Sequence, residues 1–219
     1  ARTTLATGCY GPRIGTQFHR KYRPVAMPAG LRMFSAYLRA AGYHTSNQAK
    51  TDYNAIASDD VWDESSPRAS WRNRQGPDQP FFHMQSHSES HEGSLHFNEA
   101  VYNNQETSHR PADVQLADYH PDTPLFRYTH ARYLDRISMI DDIVGNTLAK
   151  LEEDGVLEDT FVFYFGDHGG VLPRSKGYIY DSGLHVPLVV RVPENFRHLV
   201  DADNGDRVSG FVSFIDFGP

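Results

Sequence analysis

The apolar positions of this chain change period along its length. Between Gly30 and Ala41, Leu31, Phe34 and Leu38 recur at helical spacing, and Gly42 supplies a C-terminal stop. His44 to Gln48 reads as a short strand leading to Lys50, and Phe81 to Gln85 as another. The polar segment from Asp59 to Pro80, with scattered Pro, Ser and Arg, predicts a long loop, and Asn98 to Pro124 reads as mostly irregular. The longest helix has Thr123 as N-cap and Pro124 as its first residue. Leu134, Ile137, Ile140, Val144, Leu148 and Leu151 form one apolar stripe along it, and Gly155 ends it. Near-continuous apolar runs then predict buried strands over Thr160 to Phe165 and Val186 to Val192, and a third over Val208 to Phe214. Helices alternating with such strands predict an α/β fold with a mixed, mostly parallel sheet flanked by helices.

Composition narrows the function classes. The 219 residues, 39% of them hydrophobic, suffice for one large domain with a core. No run of about 18 apolar residues occurs, which argues against a membrane-spanning helix. A net charge of −7 argues against nucleic acid or any polyanion as a partner of the whole surface, so an anionic substrate needs a local cluster of cations. The single cysteine, Cys9, leaves no intrachain disulfide and no CxxC metal site. We read Cys9 as a small structural residue.

Candidate chemistry concentrates in TFVFYFGDHGGVLPRSKGYIYDSGLHVPLVVR, Thr160 to Arg191. Asp167 and His168 follow an apolar strand, where open α/β sheets place charged ligands. Asp suits a hard divalent cation, and an adjacent imidazole suits Zn or Mn better than Ca. Gly169 and Gly170 permit a sharp turn and close approach of a ligand. A lone Asp-His-Gly is equally compatible with a solvated turn. The histidines His83, His87 and His91 are four residues apart, a spacing that on a helix would suggest zinc. The apolar pair before them reads instead as the end of a strand.

The spaced set Asp167, His168, Gly169, Lys176, Gly177, Tyr180, Asp181, Gly183, Val186 and Pro187 resembles the type I sulfatases, the formylglycine-dependent branch of the alkaline phosphatase superfamily. That family has Asp-Asn/His-Gly, then Lys-Gly, then Tyr-Glu/Asp-x-Gly-x-x-Val-Pro and an apolar strand. The resemblance implies that Asp167 and His168 ligate one divalent metal, Ca2+ first with Zn2+ or Mn2+ as alternatives, and that Lys176 contacts the sulfate ester. Lys50 stands where the family has Gly-Lys-x-His, although Asp52 replaces the histidine. Its implied role is to steady the nucleophile and the sulfate. His91, before Glu92, best matches the histidine that protonates the leaving oxygen, with His87 as the weaker match.

At the start, Arg2, Leu5, Thr7, Gly8, Tyr10, Pro12 and Gly15 fit the segment that follows the family's nucleophile, a helix ending in Leu-x-Thr-Gly. The Cys or Ser converted to formylglycine is then expected four residues before Arg2, outside this sequence, as are the paired aspartates that complete the metal shell. The end, SFIDFGP, resembles the last strand before a smaller C-terminal domain. Residues 1–219 are therefore expected to be part of an alkaline phosphatase-like catalytic domain, incomplete at both ends and inactive alone. The implied parent is a secreted or periplasmic sulfatase acting on a small-molecule or glycan sulfate ester, with a sulfated sugar and an aryl ester both compatible with its loops. The alternatives are a phosphonate or phosphate ester hydrolase on the same scaffold and a non-catalytic anion-binding domain.

Overall fold

A computed structural model of the chain describes residues 1–17, 23 and 25–218. They form two packed units, Ala1–Ser86 with Arg207–Pro219, and His87–Asp206.

The first unit is built on a parallel sheet. Helix α1 (Arg2–Thr7) ends at Gly8, whose φ of 61° lets its N–H close on the Thr4 carbonyl. Helix α2 (Phe34–Ala40) starts later than its apolar pattern suggested. Strands β1 (His44–Gln48), β2 (Glu64–Ser65) and β3 (Phe81–Gln85) lie in the order β2-β1-β3, all parallel. Ala6, Met33 and Val61 form a core against which Tyr53 and Trp62 pack. Phe82 meets Phe34 edge-on at 5.0 Å and stacks on Trp62 at 5.9 Å.

The central strand β1 is polar yet buried, with Thr45, Ser46 and Asn47 at 0% exposure. Each side chain makes at least one hydrogen bond, which offsets most of the cost of such burial, although the Asn47 Oδ1 has no partner among the described residues. The Thr45 hydroxyl and N–H both donate to Asp63, Ser46 pairs with His83, and the Asn47 amide donates to Ser65. Burial pushes the Asp63 carboxyl up, but the bonds from Thr45 and Arg39 outweigh it and hold Asp63 below the usual carboxylate range.

The second unit is organised by a long helix. A short helix α3 (Glu99–Asn104) precedes α4 (Pro124–Glu153), whose 30 residues extend about 45 Å. The Thr123 hydroxyl caps α4 by accepting from the Phe126 N–H, as its sequence predicts. Tyr128, Ala131, Ile140 and Leu151 are its buried residues, whereas Ile137 of the expected stripe is exposed. Tyr128 packs edge-on against Phe97 and Tyr102, and its hydroxyl donates to the Gln105 carbonyl. Strands β4 (Val162–Phe165) and β5 (Leu188–Arg191) form an antiparallel pair, and a short helix α5 (Asp181–Leu184) lies between them in sequence.

The α/β class holds, and two details are corrected. Residues 208–213 form no strand; a 3-10 turn at Phe214–Asp216 follows them, and Phe211 is fully exposed. Gly210 and the serines on either side interrupt the apolar run, so it has little to bury by pairing. Strands β4 and β5 are also not buried, since Phe163 is 51% and Val189 60% exposed. Among the described residues they pair only with each other, so apolar side chains that suggested a sheet covered on both faces remain open.

Candidate active site

In the first unit, candidate cations gather at the carboxyl end of the parallel strands. Arg2 opens α1, and its guanidinium donates to the Ser86 hydroxyl just after β3. Lys50 follows β1, with its ammonium 3.5 Å from Asp52. Both Ala49 and Asp52 have positive φ, at 71° and 39°, so the chain turns sharply on each side of Lys50. Asn47 holds the turn by donating to the Lys50 carbonyl. The Asn54 N–H donates to Thr3, which ties the turn to α1. Arg2 also acts on Tyr53: burial raises the phenol pKa, while the Trp62 hydrogen bond and the Arg2 charge partly offset the rise. Asp52, which departs from the family's histidine, is the counter-ion of Lys50.

In the second unit, β4 delivers Asp167 and His168 to its carboxyl end. The ladder continues one residue further, from the Gly166 N–H to the Pro187 carbonyl. Asp167 Oδ1 and His168 Nε2 then lie 3.4 Å apart, both half-exposed. His168 Nδ1 is 2.8 Å from the Gly169 carbonyl, which requires the proton on Nδ1 and leaves the Nε2 lone pair free. Two donors at about 2.1–2.4 Å from one cation, seen from it at a right angle, are about 3.2 Å apart. The pair therefore fits two adjacent places in a divalent metal's shell. No third His, Cys, Asp or Glu joins them among the described residues.

The loop after His168 folds back tightly, and its glycines act through their small size. Neither Gly169 nor Gly170 has positive φ. A Cβ on Gly169 would meet the Ser182 carbonyl oxygen at 2.2 Å, and one on Gly170 the Tyr133 hydroxyl at 2.7 Å. The Lys176 N–H donates to the Gly170 carbonyl at 2.9 Å, which returns Lys176 to within a few residues of the acid–imidazole pair. The Lys176 ammonium is 2.9 Å from Glu92 Oε2 and holds the Glu92 carboxyl below its usual range.

His91 caps the following 3-10 turn, its Nδ1 accepting the Gly93 N–H, so a neutral ring carries its proton on the exposed Nε2. His87 is exposed in the same connection, whereas His83 lies on β3, so the three histidines share no helix face. Glu92 and Arg174 were missed as site residues. Their places beside His91 and two residues before Lys176 were the available signals.

The chain is an α/β protein that carries a carboxylate–imidazole pair at the end of one strand and a lysine on the loop that follows. The chain belongs to the sulfatase family, whose family profile matches residues 1–219. It is 34% identical to the ulvan-active sulfatase of Formosa agariphila over 100% of this chain and 42% of that protein. It is also 31% identical to human N-sulphoglucosamine sulphohydrolase over 50% of this chain and 21% of that protein. The chain thus spans less than half the length of these relatives. Its fold is like that of a phosphonate monoester hydrolase from Silicibacter pomeroyi, with TM-score 0.66 and 14% identity over 99% of this chain and 61% of the other. It is also like BT4656, solved with its substrate D-glucosamine-2-N,6-O-disulfate, with TM-score 0.59 and 15% identity over 88% and 61% of the two chains. At these identities the two structures speak to the fold alone. No described helix is long and apolar enough to cross a membrane.

Proposed function

We propose that the protein carrying this chain hydrolyses a sulfate ester on a glycan. The observation that carries the reading is the Asp167–His168 pair at the end of β4, with the backbone of Lys176 bonded to Gly170 in the same loop. The relationship to an ulvan-active sulfatase along the whole chain supports sulfate as the anion.

Asp167 and His168 hold a divalent cation, Ca2+ first. Zn2+ or Mn2+ are the alternatives that the imidazole allows. When bound, this cation supplies Lewis-acid stabilisation of the sulfate oxygens. Lys176 binds the ester's anionic oxygens after exchanging Glu92 for them. Arg2 and Lys50 are the corresponding cations of the first unit, and Lys50 is oriented by Asp52 and the Asn47 bond. His91 protonates the leaving oxygen from Nε2, the position its Gly93 hydrogen bond leaves for the proton. The nucleophile belongs to a formylglycine four positions before Arg2, and the protein works in the periplasm or outside the cell.

The test is turnover of matched sulfate, phosphate and phosphonate esters by the full-length protein. Sulfate is expected to be preferred, and Lys176→Ala to lower kcat/KM by about 100- to 1,000-fold. Chelation is expected to abolish activity and one of the three cations to restore it. A preference for phosphate or phosphonate would transfer the site to the other hydrolases of this scaffold. Turnover of none of the three esters would leave anion binding as its function.

A further inference from the structure

The loop that returns Lys176 also carries groups to which the ester chemistry gives no role, Arg174, Tyr178 and Tyr180. An open cleft of about 540 Å3 is lined by Glu92, Leu172, Arg174, Lys176, Tyr178 and Tyr180, among others. The Arg174 guanidinium lies 4.5 Å from the ring centre of Tyr119 and 4.9 Å from that of Tyr180. Contacts with ring faces orient a guanidinium without occupying the in-plane N–H groups. No carboxylate pairs with Arg174 among the described residues, whereas Lys176 in the same cleft is paired with Glu92.

The backbone is committed to this placement. Arg174 has φ of 66°, one of three such non-glycine positions among the described residues. Its carbonyl accepts the Ser182 hydroxyl at 2.8 Å, which ties the strained residue to α5. A non-glycine residue is strained in the left-handed region, and such strain concentrates at ligand-holding sites. Tyr178 and Tyr180, with ring centres 6.3 Å apart and both about half-exposed, add an aromatic wall of the kind that sugar faces pack against.

We propose that Arg174 is a specificity-determining residue that receives a second anionic group, a carboxylate or a further sulfate, on a sugar packed against Tyr178 and Tyr180. The inference rests on the sulfate-ester reading and deepens it: the substrate is a glycan bearing two negative groups, one cleaved and one recognised. A planar guanidinium matches the two oxygens of either group. Lys176 supplies the cleft's other charge, so one anion is not left to serve both cations.

The test compares Arg174→Gln and Arg174→Lys with the wild type in the full-length protein. The substrates are an aryl monosulfate and three sulfated disaccharides: one with a uronate, its carboxyl-reduced form, and one with a second sulfate. Arg174→Gln is expected to raise KM for a doubly charged disaccharide about 10- to 100-fold more than for the aryl sulfate, at little change in kcat. Arg174→Lys is expected to recover part of that loss. A loss that disappears on carboxyl reduction assigns the group as a carboxylate; a loss confined to the disulfate assigns it as sulfate. Equal losses on all four substrates, or none, overturn the proposal. If the wild type cleaves no sulfate ester, the reading of the reaction fails separately. Calorimetric binding of the same disaccharides then decides, with about 10-fold weaker binding by Arg174→Gln expected and equal binding overturning the inference.

Discussion

His83 lies on β3 with Nδ1 2.7 Å from the Ser46 hydroxyl and its ring edge-on to Trp71. Its pKa is pushed down to about 4, first by burial and then by His44, against the opposing pull of Glu64. The unfolded chain takes up a proton near pH 6.5 that the folded chain does not accept until about pH 4. Stability is therefore complete above about pH 6.5 and is lost as pH falls toward 4, by roughly 3 kcal/mol for a shift of this size. Thermal melts from pH 7 to pH 5 should show a steeper loss for wild type than for His83→Gln, which does not titrate. Parallel slopes would refute this role. In the sequence His83 could not be separated from His87 and His91 by residue type. Its neighbours Phe81 and Phe82 placed it on a strand, and burial against β1 made it structural. Lys50 was legible only by its position after a helix and strand, and its partner Asp52 became intelligible once the turn between them was seen.

At the scale of elements, the best-read features were those set by local chemistry. Strands β1 and β3 match their predicted limits, and α4 begins at its Thr-Pro cap. The loop from Gly169 to Gly183 was recognised by its motif, but the reason for its glycines was not legible. A Cβ on Gly183 would stand 2.3 Å from the Tyr178 carbonyl oxygen and 2.5 Å from that of Ser175. Gly169→Ala and Gly183→Ala are expected to cost about 3 kcal/mol or more each, because backbone rather than a flexible side chain must move. Gly145, in the interior of α4, has nothing within 4 Å of its Cβ position. Gly145→Ala is expected to stabilise by about 0.8–1 kcal/mol, the helix-propensity difference. Chemical denaturation of the three variants checks both signs. A destabilised Gly145→Ala would show that this face of α4 is packed.

At the scale of the molecule, the chain forms two units, and it passes between them at Ser86–His87 and at Asp206–Arg207. Residues 203–213 are all exposed and lack helix or strand. Such backbone opens at little cost, so limited trypsin digestion is expected to cut after Arg207 before Lys150 in α4 or Arg191 in β5. Mass spectrometry of early fragments reads the order, and first cleavage within α4 would contradict it. The net charge of −7 leaves recognition of an anionic ester to local cations, and the units carry them separately: Arg2 and Lys50 in one, Lys176 and Arg174 in the other.

The sequence by itself determined the family, the α/β class, the limits of the two well-patterned strands and the start of α4. Caps, alternation and spaced motifs are local and survive without knowledge of contacts. The tertiary structure decided the rest. It made β4 and β5 an exposed antiparallel pair, left 208–213 outside both sheets, and paired Lys176 with Glu92. It also set Arg174 between Tyr119 and Tyr180, residues 55 and 6 positions away in the chain. Pairing edges, solvent cover and charge partners depend on which distant residues meet, and an apolar run or a lone lysine reads the same in one chain whether or not its partner arrives.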